Sequence, residues 1–379
     1  MTRIAPDWLT EAVPQTVMAA LAPAKPLFVG GCVRDALMGR DSLDIDIAVI
    51  TPPDQTMALV ESVGLKVIPT GLDHGVVTVI VDGVPFEVAT LRRDVATDGR
   101  RAVVAFTDRI EEDAERRDFT MNALYADAAG EVIDPLGEGV SDLSGRRIRF
   151  IGDAGQRLRE DYLRILRFFR FHAQFGIAPL EAEGLAACLA ERSRLNLISA
   201  ERIGAEMRKL LASQNPGPAL EAMGPILTQI LPGAVWSEAL LDAEAALGLS
   251  PQPMRRLASL NAASVERLRL SNAEQSHLKK VGLARNLAVH EVAYRFGEDV
   301  ALDSVAIDLV VDRPPAALRE EIGQSAATTF PVMAKDLMDL GMKPGPELGA
   351  TLKELEAQWI AKRFAPSRET LLSSLLLGS

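Results

Sequence analysis

The chain is predicted to be an α+β protein: a small mixed-sheet head followed by an all-helical neck, body and tail. Three observations predict it. Short runs with strand character fall within about the first 150 of the 379 residues. Two of those runs flank Asp82-Gly83, a strong signal for a type I′ hairpin. Beyond Gly152-Asp153 the apolar residues recur at helical spacing, interrupted by Pro and Gly and without strand alternation. The length exceeds what one core usually serves. The organisation expected is therefore residues 1–150 as head, 151–213 as helical neck and 214–379 as helical body and tail.

The elements follow in order. Leu27-Phe28-Val29 is an apolar run entering a tight turn at Gly30-Gly31, and Val33 to Met38 reads as a short helix closed by Gly39. Asp44 to Val49 alternates Asp44, Asp46 and Ala48 with Ile45, Ile47 and Val49, which predicts a strand. Thr51 to Val63 is a helix with Pro52-Pro53 at its start. Val76 to Val81 and Val84 to Leu91 are the hairpin strands. Asp94 to Ala105 lacks apolar periodicity and reads as a flexible loop. Leu158 to Phe175 reads as one long amphipathic helix, and Ser199 is placed to cap another that runs to about Leu211. Pro216-Gly217-Pro218, Leu231-Pro232-Gly233, Pro251-Gln252-Pro253 and Lys343-Pro344-Gly345-Pro346 divide the helical remainder.

Composition narrows the function classes. Cys32 and Cys188 are the only cysteines, too few for a disulfide framework or a cysteine-rich zinc site. No apolar run approaches the roughly 20 residues of a membrane span, and Asp7, Glu11 and Pro14 break the lead-in that a signal peptide would need. A cytoplasmic location and no membrane partner are expected. The formal net charge is −11, whereas nucleic-acid binders are usually basic. Charge acts locally, however, with screening over about 8–10 Å. Arginines cluster at 92–101, 116–117 and 157–170, so a polyanion would meet the first half of the chain. His74, His172, His277 and His290 show no metal-ligand spacing.

Asp44 and Asp46, two apart on a strand, would share one face, where two carboxylates can hold Mg2+ through hard oxygen ligands. Alone, such a pair is more often a polar strand face. The preceding turn changes its meaning: Gly30-Gly31 lets backbone N–H groups approach a triphosphate, and Arg34, one helical turn on, can pair with phosphate oxygens. Glu87 is either a third carboxylate beside this strand or an exposed edge residue.

These residues form a recognisable pattern. Gly30-Gly31-Cys32-Val33-Arg34-Asp35 followed by Asp44-Ile45-Asp46 resembles the first signature of the tRNA nucleotidyltransferase and bacterial poly(A) polymerase family. Arg116-Arg117-Asp118-Phe119-Thr120-Met121-Asn122-Ala123 is similar to its second motif, assigned to ribose and triphosphate recognition. Asp134-Pro135-Leu136-Gly137, with Asp142 and Arg149, resembles the hinge-like third. Glu160-Asp161 with Arg164, Arg167 and Arg170 resembles the fourth, with Tyr162 where proline is frequent. Ser199 to Leu210, with Glu201, Arg202 and Glu206, resembles the fifth, a helix supporting the nucleotide site. The resemblance covers roughly the first 210 residues and is weaker around Pro344 to Trp359.

The resemblance implies metal-dependent transfer of nucleotides from CTP and ATP to the 3′ end of tRNA without a template. It implies that Asp44 and Asp46 are catalytic, and Glu87 is the candidate third catalytic carboxylate if its strand lies beside theirs. It also implies nucleotide binding by Gly30, Gly31, Arg34, Arg116, Arg117, Asp118, Asn122, Asp161, Arg164, Arg167 and Arg170, with Asp118 accepting from a ribose hydroxyl. Asp161 and Arg164, three apart on the expected helix, offer acceptors only and donors only. Cytosine and adenine both present an amino donor beside a ring-nitrogen acceptor and fit such a pair; uracil and guanine reverse the order. Each mispaired group costs roughly 1–3 kcal/mol in a partly dry site. Poly(A) polymerase, CC-only or A-only transfer, and a non-catalytic RNA- or nucleotide-binding module are the competing readings. Thr70-Gly71-Leu72-Asp73-His74-Gly75 and the absence of a long basic tail favour CCA over poly(A) addition. Arg255, Arg256, Lys279, Lys280, Lys343, Lys362 and Arg363 are the expected RNA contacts in the helical half.

Overall fold

The computed structural model describes residues 2–42, 44–98, 101–308 and 314–377. The chain divides into two compact units, Met1–Ile230 and Leu231–Ser379. The strands all lie in the first: β1 (Leu27–Val29), β2 (Asp46–Val49), β3 (Lys66–Gly71), β4 (Val76–Val81), β5 (Val84–Thr90), β6 (Arg92–Asp98), β7 (Arg101–Phe106), β8 (Tyr125–Ala126) and β9 (Val132–Ile133). Seven form one mixed sheet in the order β3-β4-β5-β2-β1-β8-β9. Among the described residues only β2 and β5 pair in parallel, and their register sets Asp46 beside Glu87.

The β4–β5 turn has Asp82 and Gly83 both at positive φ, +52° and +83°, the conformation a type I′ turn requires. Edge strand β3 was not legible as a strand. Pro69 interrupts its pattern, and its register shifts between Ile68 and Gly71, an irregularity an edge can tolerate. The segment expected as a loop from Asp94 to Ala105 is instead largely a two-stranded ribbon of β6 and β7. The ribbon lacks regular apolar alternation along either strand, so the sequence gives no warning of it. Gly99 and Arg100, at the centre of that expectation, lie outside the described residues.

The single helix expected from Leu158 to Phe175 is two helices, Ala154–Glu160 and Arg164–Phe175. Asp153 caps the first by accepting from the Gln156 N–H. Asp161 ends it in an extended conformation (φ −155°, ψ 105°), and its side chain accepts from the Leu163 N–H while its carbonyl accepts from that of Arg164. An aspartate competing for nearby backbone N–H groups in this way favours a break over continuation. The Arg164 helix is tied to the head by aromatic packing: Phe150 stacks on Phe168, and Phe119 meets Phe150 and Phe171 with ring centroids 4.9 and 5.1 Å apart.

The second unit is helical throughout its described residues. One apolar cluster gathers Leu240, Leu247, Val292, Val305 and Ile322, and another Leu337, Leu355, Trp359 and Ile360. Arg255 and Arg256, expected on the RNA, are instead buried. Arg255 bonds Asp303 (2.7 Å) and Glu244 (2.8 Å), Arg256 bonds Glu244 (2.8 Å), and His277 meets Asp303 at 2.8 Å. Pro253 opens their helix, and turning that helix into the core required carboxylates there, which a local sequence pattern does not display. Among the described residues, no helix is long and apolar enough to cross a membrane. Both cysteines are buried free thiols, and burial raises their pKa values, Cys32 to about 11.

Candidate nucleotide-transfer site

A cavity of about 420 Å3 opens where the head meets the helix Arg164–Phe175. It is lined by six arginines (Arg34, Arg116, Arg117, Arg164, Arg167 and Arg202) and three aspartates (Asp46, Asp118 and Asp161), with Gly30, Gly31, Asn122, Leu163 and Phe171 completing the wall. Behind the wall, Asp35, Asp113 and Glu160 pair with Arg34, Arg116, Arg117 and Arg164, so the lining arginines are held by carboxylates while they face the opening. Most of the residues expected from the sequence meet here. Asp44, Glu87 and Arg170 do not line the cavity.

The floor follows from the turn after β1. Gly30 has φ +73°, a region open to glycine, and a Cβ there would come within 3.2 Å of the Arg117 guanidinium. The helix Gly31–Leu37 then turns Arg34 towards the cavity, although burial lowers its pKa. Its guanidinium donates to the Asn122 Oδ1 at 2.7 Å and to the Asp35 carboxylate at 2.9 and 3.0 Å. It also lies over the rings of Phe175 (4.2 Å) and Phe171 (5.4 Å).

The second motif is held by Asp113, a residue that sequence reasoning passed over as part of an acidic run. Arg116 and Arg117 both donate to it, and so does the Tyr125 hydroxyl at 2.6 Å. Burial alone would raise the Asp113 pKa; Arg117 and Arg116 outweigh burial and hold it at about 2. Asp118 is likewise depressed: burial opposes, but Arg167 and the Asn122 amide prevail. Its Oδ1 accepts from Asn122 (3.0 Å) and the Phe119 N–H (2.9 Å), and its Oδ2 accepts from Arg167 (2.7 Å). Behind this loop, the buried Asp142 accepts from Thr120 (2.7 Å) and Arg149 (2.8 Å), joining the third motif to the second.

The fourth motif departs from the helix-face geometry expected. Asp161 stands outside the helix and Arg164 begins the next one. Both nevertheless line the cavity, each braced separately. The Asp161 Oδ2 accepts from Arg202 at 2.6 Å, while Arg164 donates to Glu160 and to the backbone carbonyls of Arg157 and Arg116. Arg170 sits behind the cavity, bonded to Glu206 (2.5 Å) and Gln174 (2.9 Å) and lying over Phe171. Arg202 is the lining residue whose direct part was missed. It stands on the helix Ala200–Leu211, forty-one positions after its partner, and only the fifth motif marked it.

Asp46 opens β2 at the cavity edge, and Asp44 precedes the strand, exposed, rather than lying on it. Burial, then the charges of Glu87 and Asp44, push the Asp46 carboxyl up to about 6 despite Arg117. Three acidic groups thus crowd one strand end. Among the described residues, no three His, Cys, Asp or Glu side chains form a ready-made ion cage. An open set of hard carboxylate oxygens still fits Mg2+, which is usually held by one or two carboxylates with water and substrate phosphates.

Residues 27–149 match the family model described as the poly A polymerase head domain, and residues 179–233 match one described as a probable RNA and SrmB-binding site of polymerase A. A mitochondrial CCA tRNA nucleotidyltransferase 1 from Danio rerio is 34% identical, over 91% of this chain and 86% of its own. A CCA-adding enzyme from Levilactobacillus brevis is 32% identical over 92% of each. The crystal structure of the Bacillus stearothermophilus CCA-adding enzyme in complex with CTP superposes with a TM-score of 0.74 at 28% identity, covering 96% of both chains.

Proposed function

The chain belongs to the CCA-adding tRNA nucleotidyltransferase family, and from that premise we propose how its own residues add C, C and A from CTP and ATP to the 3′ end of tRNA. The single observation that carries the site assignment is the cavity of six arginines and three aspartates behind the Gly30-Gly31 turn.

In this reading the triphosphate lies over Gly30-Gly31, where small residues permit close approach, and Arg34, Arg116 and Arg117 neutralise it. Asp118, kept ionised by Arg167, orients the ribose edge of the site. Asp161 and Arg164 face the base. Arg202 holds the Asp161 carboxylate and Glu160 holds the Arg164 guanidinium, so acceptor and donor are presented in fixed order. An amino group beside a ring nitrogen, as in cytosine and adenine, satisfies both; a carbonyl beside an N–H satisfies neither.

Family members typically depend on a metal. Mg2+ would be held by Asp46 and Asp44, with Glu87 beside Asp46, and would supply Lewis-acid polarisation of the reacting phosphoryl group and charge neutralisation at the attacking hydroxyl and departing pyrophosphate. The nucleophile is the RNA 3′-hydroxyl, so no protein nucleophile is required. A cytoplasmic location suits the two buried free thiols.

The test is incubation of tRNA transcripts ending before the first C, after C and after CC with each nucleoside triphosphate in turn. CTP alone should extend the first two and ATP alone the third. Long A tails on any transcript would instead support poly(A) polymerase, and arrest after CC would support CC-only transfer.

A further inference from the structure

Arg117 lines the nucleotide cavity, and its guanidinium is held along one edge only. Nε and Nη2 donate to Asp113 at 3.2 and 3.0 Å, and both bonds end on the same oxygen, Oδ2. The other oxygen, Oδ1, is taken by the Arg116 guanidinium (2.9 and 2.6 Å) and by the Arg92 N–H (3.1 Å). A guanidinium that meets two carboxylate oxygens side by side is fixed in direction. One that meets a single oxygen can pivot about it. A third contact removes that freedom. The Tyr125 hydroxyl accepts from Arg117 Nε at 3.3 Å and donates to Asp113 Oδ2 at 2.6 Å, which closes a triangle.

We propose that Tyr125 is a positioning residue for nucleotidyl transfer: its hydroxyl locks the Arg117 guanidinium against Asp113, so that the free edge of Arg117 meets the triphosphate over Gly30-Gly31. The proposal rests on the CCA-adding reading, in which Arg117 neutralises the triphosphate. Nη1 carries the free edge. It has no hydrogen-bond partner among the described residues, and it lies 3.2 Å from where a Cβ on Gly30 would stand. The guanidinium is rigid and planar, so fixing its Nε edge also fixes where Nη1 points.

The tyrosine itself is firmly placed. It is fully buried, packed with Val29, Ala114 and Ala123, and the Arg117 guanidinium lies 5.3 Å from its ring centroid. Strand β8 sets it opposite Val29 of β1, the residue before Gly30. The Gly30 N–H in turn donates to the Leu124 carbonyl at 2.9 Å. The phosphate-facing turn and the side chain that aims Arg117 therefore stand on paired strands and share one geometry. Burial raises the Tyr125 pKa, so the phenol keeps its proton and stays a donor to Asp113.

The test uses Tyr125→Phe in the full chain. The ring and its packing are kept, and Asp113 and Arg117 stay paired with each other, so the variant should fold. On tRNA transcripts ending before the first C and after CC, the KM values for CTP and for ATP should each rise about tenfold, the scale of a lost hydrogen bond to a charged group. The KM for RNA and the relative use of CTP and ATP should not move, because the base and the RNA touch other residues. Independently of turnover, calorimetry should show inorganic pyrophosphate binding about tenfold more weakly to the variant. The defect should also vanish in an Arg117→Lys background, where adding Tyr125→Phe costs nothing further, as expected of two residues that act through one contact. Unchanged nucleotide KM and pyrophosphate affinity, an equal loss of RNA affinity, or a full additive loss in the Arg117→Lys background would each overturn the proposal while leaving CCA addition intact. Absence of any nucleotide addition by the unaltered protein would instead count against the CCA-adding reading, and pyrophosphate binding would still decide the role of Tyr125.

Discussion

Two arginine–carboxylate networks in this molecule use the same side chains to opposite ends. In the second unit, Arg255 and Arg256 meet Glu244 and Asp303, all buried, two charges against two. In the first, six arginines line one cavity with three aspartates. The first kind is closed: its hydrogen-bonding capacity is directed inward and it holds helices together. In the second each arginine is also braced by a carboxylate, with Asp35, Asp113 and Glu160 joining Asp118 and Asp161, but the guanidinium groups line an opening. Local composition cannot separate the two, because Arg255-Arg256 and Arg116-Arg117 look alike as dipeptides. What distinguishes them is where the fold puts the guanidinium groups: one set is buried in a helical core, the other lines a cavity.

The comparison can be broken at either network. The largest effect is expected at the strand end beside the open one. Asp46→Ala should lower transfer by at least about a thousandfold, by analogy with the loss of other groups that stabilise transition-state charge, while tRNA binding is retained in a filter or gel-shift assay. Near-normal turnover would remove Asp46 from the reaction. In the closed network, Glu244→Ala leaves two buried guanidinium groups short of an acceptor. It should destabilise the second unit by about 3–5 kcal/mol, read by thermal or denaturant unfolding, with the relative use of CTP and ATP unchanged in whatever remains folded.

A smaller effect is expected from Asp113, which anchors Arg116 and Arg117 beside the open cavity. Its folded pKa is about 2 against an ordinary 3.8. A depressed carboxylate contributes stability that is fully present above the unfolded value and is lost as pH falls from about 4 through about 2. The shift corresponds to about 2 kcal/mol. Asp113→Asn should therefore flatten that part of the stability–pH curve, and an unaltered acid limb in the variant would contradict the assignment. The smallest effect concerns the proposal that the second unit holds RNA. Lys279 and Lys280 are exposed, unlike Arg255 and Arg256. Lys279→Glu/Lys280→Glu should weaken tRNA binding several-fold and reduce its salt dependence, without altering stability; equal binding by variant and parent would place the RNA elsewhere.

The contrast also explains what could be read in advance. Strands β1, β2, β4 and β5 of the head were legible because apolar runs, the Asp82-Gly83 turn and the Gly30-Gly31 turn are local signals, whereas the short β8 and β9 and the edge strand β3 carry no such pattern. The helical remainder was likewise legible from local signals. The break at Asp161 was missed because residues 158–175 keep a helical apolar period, and the competing side-chain bond to the Leu163 N–H involves only one residue. The ribbon of β6 and β7 was missed because it offered no apolar alternation. Arg202 and Asp113 were passed over as parts of the site because their roles depend on partners and on packing: Arg202 meets an aspartate forty-one positions away, and Asp113 looks like one acid among three.

In the proposed mechanism Asp161, between two helices, and Arg164, opening the second of them, read the base edge by donor and acceptor order, with Arg202 holding the acceptor. The most direct measurement is kcat/KM for CTP, ATP, UTP and GTP on tRNA lacking its end, in Asp161→Ala and in Arg202→Ala. Asp161→Ala should lose affinity for CTP and ATP and relax its exclusion of UTP and GTP, giving misincorporation rather than simple inactivity. Arg202→Ala should shift the ratios in the same direction but less, because the Leu163 N–H still holds one carboxylate oxygen. Unchanged ratios in a folded Asp161→Ala variant would contradict the account and move selection to the β6–β7 ribbon or to the RNA end.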